Sequence, residues 1–149
     1  MTSAELVFKQ GFAPIMSTKA LTALLAACET DDIRLTQGGT TTPPPMMGVR
    51  GWACEGSCGI GYAGWQGEEL DTVGEVEEYF AMKCFQSDEL LGEPAACRWF
   101  LNFFDDTPRG EMLTTLAGWI RSALADRDQL AAVPEFFAPE FTLPECGFN

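Results

Sequence analysis

Apolar residues recur every three or four positions in three long segments, and this spacing constrains the fold more than any other feature of the chain. On an α-helix, residues with this spacing share one face, which can pack against a core. The three apolar series are Leu21, Leu24, Leu25, Cys28; Val73, Val76, Phe80, Cys84, Leu91; and Leu113, Leu116, Ala117, Ile120, Leu124. Strands are only weakly indicated, with at most a short extended piece at residues 46–50. The sequence therefore predicts a mainly α protein.

Local signals place the ends of these helices. Ser17 is a typical N-cap residue, and Thr72 with Glu75 forms the pattern of a capping box. Gly92 predicts the end of the second long helix, and a further helix should follow over residues 95–104. Apolar side chains cover almost the whole circumference of that helix, so we expect it to be buried. The prediction is one domain, residues 1–128, built as a bundle of about five helices around this central helix.

The last segment, residues 129–149, has a different pattern. A Pro-Glu-apolar step repeats every five residues, beginning at Pro134, Pro139 and Pro144. Proline at this spacing excludes a helix. The aromatic residues Phe136 and Phe141 predict that the tail docks, either on its own domain or on a neighbouring molecule.

Residues 51–67, GWACEGSCGIGYAGWQG, form the only dense glycine cluster. They contain a formal G-x-G-x-x-G match, but no β-branched run precedes it, as a dinucleotide-binding unit would require. If the segment is helical, Cys54, Cys58, Tyr62 and Trp65 form one stripe beside a stripe of small residues. Because glycine is costly inside a helix, the favoured interpretation is close contact with another helix.

A metal or cluster site is the second interpretation of this segment. Cys54 and Cys58 are four residues apart, so a helix would place their thiols on one face. Structural zinc and iron–sulphur clusters normally take four ligands, and Cys84 with Cys97 would complete the set. The alternative hypothesis is therefore a cysteine-ligated zinc or iron–sulphur protein that uses Cys54, Cys58, Cys84 and Cys97.

Charge and composition exclude several classes of function. The chain has 22 acidic and nine basic residues, a net charge of −13, and no histidine. Catalytic triads with histidine, imidazole metal sites and histidine pH switches are therefore excluded. A negative surface repels nucleic-acid phosphates and anionic membranes, so neither is an expected partner. No apolar run is long enough to span a membrane, and the cysteine usage favours a reducing, cytoplasmic location.

The first functional hypothesis is a non-enzymatic interaction protein, an adaptor or regulator that binds a protein partner with basic residues. The acidic surface and the aromatic tail support it, and an enzyme is less expected because proton-transfer groups are scarce. Aromatic side chains are the candidate partner-binding residues: Trp52, Tyr62, Trp65, Trp119, Phe136 and Phe141. A weaker alternative is an acidic mimic of nucleic acid that blocks a nucleic-acid-binding protein.

Overall fold

Six α-helices account for most of residues 1–131, the part of the chain that the computed structural model describes. They are α1 (Ser3–Val7), α2 (Thr18–Thr30), α3 (Gly59–Tyr62), α4 (Val73–Leu91), α5 (Cys97–Asp106) and α6 (Arg109–Ala131). Two π-helices, Phe8–Phe12 and Ala63–Gly67, extend α1 and α3, and a 3₁₀ turn, Ala13–Ile15, precedes α2. The mainly α prediction is confirmed.

One short antiparallel sheet lies within the described residues. It pairs β1 (Thr41–Thr42) with β2 (Gly56–Ser57). The extended piece expected at residues 46–50 is instead a series of turns, in which the Val49 amide donates to the Met46 carbonyl at 3.1 Å.

The helix ends follow the local signals. The Ser17 hydroxyl accepts the Ala20 amide at 3.0 Å at the start of α2. Thr72 and Glu75 form a reciprocal capping box at the start of α4, and Gly92 ends that helix in the left-handed conformation with a φ of 70°. These residues help to pair the backbone amide and carbonyl groups that have no partner within the helix at its ends.

The core is aromatic at its centre. Phe100 of α5 lies 5.3 Å from Phe8 and 5.4 Å from Phe12, measured between ring centroids, and Phe104 is fully buried beside it. Helix α5 therefore supplies central core residues, as its composition predicts. It is not buried on all sides, however, because Trp99 is 59% exposed. One face of α5 packs against the core and the other faces solvent.

The predicted domain boundary at residue 128 falls within α6, which continues to Ala131. The tail that is predicted to dock comprises residues 129–149. Of these, residues 132–149 lie outside the described part of the chain.

Candidate functional site

The glycine-rich segment does not form one continuous helix. Residues 54–58 are extended, and their amides donate to distant carbonyls: Glu55 to Thr42 at 2.7 Å and Cys58 to Thr40 at 3.0 Å. Strand β2 therefore separates Cys54 from α3, which begins at Gly59. The expectation that Cys54 and Cys58 share a helix face is wrong, because pairing with residues far along the chain overrides the local helical spacing.

The glycines of this segment are places of close helix contact. A β-carbon on Gly59 would lie 2.9 Å from the Phe104 ring, and one on Gly64 would lie 2.5 Å from the ring of Tyr79. At Gly67 it would overlap the Ala20 backbone. The favoured interpretation, packing against neighbouring helices, is confirmed by these distances. The three glycines of the G-x-G-x-x-G match therefore face side chains of the protein itself.

The four predicted metal-ligating cysteines do not converge. The Cys54 thiol donates to the Gly56 carbonyl at 3.2 Å, whereas the Cys97 thiol donates to the Asp88 carboxylate at 3.7 Å. Within residues 1–131, no three metal-ligating side chains are grouped so that they could hold a metal ion. Burial raises the pKa of Cys84 and raises that of Cys58 to about 11, which keeps both thiols protonated at neutral pH. Protonated, buried thiols are typical of structural cysteines.

Most of the predicted partner-binding aromatics in the described residues are packed inside the protein. The Tyr62 ring meets Trp65 edge-on at 5.8 Å, and the Tyr62 hydroxyl donates to the Asp32 carboxylate at 2.8 Å. The Arg34 guanidinium lies 5.3 Å from the centre of the Trp65 ring. Trp119 packs against Phe103, with 4.7 Å between the ring centroids. Of the four predicted aromatics in the described residues, only Trp52 is exposed. Phe136 and Phe141 lie outside the described residues.

Sequence reasoning missed a surface at the turn between α4 and α5. Phe85 is 60% exposed on the last part of α4, and Trp99 projects from the first turns of α5. Two grooves, of about 410 and 200 Å³, lie on either side of Glu93; Phe85 lines one, and Leu6 and Trp99 line the other. We call Leu6, Phe85, Glu89, Glu93 and Trp99 the corner surface. Exposed aromatics can be identified only once the packing of the helices is known.

Asp88 holds the backbone beneath the corner surface. Its carboxylate accepts the Ala95 amide at 3.0 Å and the Cys97 amide at 2.7 Å. Ala95 itself has a φ of 63°, a left-handed conformation that is unfavourable for alanine and requires such support. The turn is therefore a fixed structure, and the two grooves have a defined shape.

The corner surface is also strongly acidic. Asp88, Glu89 and Glu93 line its larger groove. The salt bridges among residues 1–131 join basic side chains to other acids, such as Arg50 to Glu78 at 2.8 Å, and none involves these three carboxylates. Their negative charge remains uncompensated by local ion pairs, which favours a cationic partner.

Comparisons of the chain with protein-family models, with curated proteins and with solved structures find no match. None of the helices in residues 1–131 has both the length and the apolar character that a membrane span requires.

Proposed function

We propose that this protein is a non-enzymatic interaction protein, and that its corner surface binds a protein partner carrying basic residues. One observation carries the proposal: two large aromatic side chains, Phe85 and Trp99, are more than half exposed beside the carboxylates of Glu89 and Glu93. Exposed apolar groups with a polar rim are typical of protein-binding surfaces.

The aromatic residues would supply most of the affinity. Burying a large apolar side chain contributes about 1.5–3 kcal/mol, and tryptophan is among the residues that most often dominate a protein interface. Trp99 lies beside the smaller groove and Phe85 beside the larger one, so an apolar side chain of the partner can pack against each. The rigid turn held by Asp88 lowers the entropic cost of binding.

The carboxylates would select the partner. Glu93 lines both grooves, and Asp88 and Glu89 line the larger one, so a binding segment needs lysine or arginine next to its apolar residues. Attraction between opposite charges raises the association rate and is weakened by salt. Binding should therefore be strongest at low ionic strength.

Affinity purification with matched variants tests this proposal. Bound proteins are identified by mass spectrometry, and the dissociation constant is then measured with the purified partner at low and high salt. We expect Trp99→Ala and Glu93→Lys to weaken binding by at least about tenfold, which corresponds to 1.4 kcal/mol.

Met47→Ala is the control, because Met47 is an almost fully exposed apolar residue in a turn that lies far from the corner surface. The Arg50 salt bridges to Glu77 and Glu78 place the segment around Met47 near the start of α4, about 28 Å from its end. Binding that is equally tight in all three variants would refute the role of the corner surface. Displacement of the partner by DNA would support the narrower hypothesis of a nucleic-acid mimic.

A further inference from the structure

A third cavity shares no lining residue with the two grooves of the corner surface. It has a volume of about 220 Å³, lies between α3, α4, α5 and the loop at residues 38–40, and is open to solvent on one side. The aromatic rings of Phe80, Phe100 and Phe104 line it, together with Ile60 and Leu101. An apolar cavity of about 150 Å³ can bind benzene, so this one has room for a larger aromatic molecule.

The loop that borders the cavity is anchored on both sides. On one side, the Gln37 side-chain amide donates to the Phe104 and Thr107 carbonyls, each at 2.8 Å. On the other, the Thr40 carbonyl accepts the Cys58 amide at 3.0 Å and the Ser57 hydroxyl at 2.8 Å. The wall formed by Gly38 and Gly39 is therefore held in place.

Neither the backbone conformation nor the packing at position 39 requires a glycine. The φ of Gly39 is not in the left-handed region, and a β-carbon there would have no atom within 4 Å. In this respect it differs from Gly59, which faces the Phe104 ring, and from Gly38, whose φ is 92°. A side chain at position 39 would instead occupy open space beside the cavity that this residue lines.

The mouth of the cavity carries negative charge. Asp105 lines it, and one of its carboxylate oxygens accepts the Gly38 amide at 2.9 Å. No salt bridge to Asp105 is formed within the described residues. The C-terminal end of α5, which carries a partial negative charge, lies at the same place. Positive charge is favoured here, and the faces of aromatic rings also attract cations.

We propose that this cavity binds a small aromatic amine. The apolar ring of the ligand packs on the half-buried side chains of Phe80 and Leu101, and its ammonium group pairs with Asp105 at the mouth. This site is distinct from the one proposed for the protein partner, because it uses none of the residues of the corner surface.

Calorimetric titration with three indole compounds of different charge tests the charge preference. Near neutral pH, tryptamine is a cation, indole is neutral and indole-3-acetate is an anion. We expect one tryptamine per chain, bound at least about tenfold more tightly than indole-3-acetate. Asp105→Asn keeps an acceptor for the Gly38 amide and should weaken tryptamine binding about tenfold, whereas Asp106→Asn should leave it unchanged.

A second pair of variants locates the site. Gly39→Leu should abolish tryptamine binding by filling the mouth of the cavity. Gly51→Leu is its control, because a β-carbon on Gly51 also meets nothing within 4 Å. Circular dichroism establishes that both variants are folded. Absence of tryptamine binding at millimolar concentration, equal affinity for the cation and the anion, or normal binding by folded Gly39→Leu would each overturn the proposal.

Discussion

Gly67 is the position where the smallest possible substitution should cost the most stability. It ends the π-helix that packs on α2, and a β-carbon there would overlap the Ala20 Cα and lie 2.9 Å from the Lys19 carbonyl oxygen. Ordinary contacts begin near 3.4 Å. The obstructing atoms are backbone, so no side chain can rotate away, and the two helical segments must separate by about 1 Å.

The magnitude follows from two opposing effects. Alanine restricts the unfolded chain and by this effect stabilises the protein by about 0.4–1 kcal/mol. Forcing an extra carbon into a packed interface typically costs about 1–3 kcal/mol, and a shift of backbone belongs at the upper end of that range. We therefore expect Gly67→Ala to lower the free energy of unfolding by about 2 kcal/mol.

Gly118→Ala is the matched control for this measurement. Gly118 lies within α6, where a β-carbon would meet nothing within 4 Å. The same effect on the unfolded chain applies, and it is the main reason why alanine is the better helix former by up to about 1 kcal/mol, so this variant should be more stable than the wild type. Urea denaturation followed by circular dichroism gives both values. A Gly67→Ala variant within about 0.5 kcal/mol of Gly118→Ala would refute the close contact between these helices.

Two further predictions concern ionisable groups. Hydrogen bonds from Arg34 hold the pKa of Asp32 well below its ordinary value of 3.8, so the stabilisation by Asp32 is complete above that value and is lost as the pH falls further. The melting temperature should therefore fall more steeply in acid for the wild type than for Asp32→Asn, and parallel curves would contradict this. Burial raises the pKa of the Cys28 thiol to about 12, so Cys28 and Cys58 should react with a disulphide reagent only after denaturation. One metal ion per anaerobically purified chain would instead support the zinc or iron–sulphur alternative.

The helices could be predicted because the signals that define them act over short distances. Ser17 bonds to an amide three residues away, and Thr72 and Glu75 satisfy each other within one turn. The buried face of α2 likewise follows from the spacing of Leu21, Leu24 and Cys28. These interactions need no knowledge of the rest of the fold, so the mainly α architecture is visible in the sequence.

The exposure of aromatic residues could not be predicted in the same way. Trp119 and Trp99 lie on neighbouring helices, yet Trp119 packs against Phe103 and Phe8 while Trp99 is open to solvent. Which aromatic is covered depends on which distant segment packs over it. Sequence reasoning therefore chose Trp65 and Trp119 as partner-binding residues and missed Phe85 and Trp99, the residues on which the proposed interaction depends.

Glycine presents the same difficulty in a sharper form, because it carries no side chain whose chemistry could indicate its role. The sequence does not distinguish Gly67 from Gly39, but Gly67 faces the backbone of α2 and Gly39 faces open space. The first is required for two helical segments to approach, and the second lines a cavity with open space at its β position. Only distances to residues far along the chain separate these roles. Gly39 lines a cavity although neither packing nor backbone conformation requires glycine there, and a larger side chain at this position is therefore a direct test for a ligand.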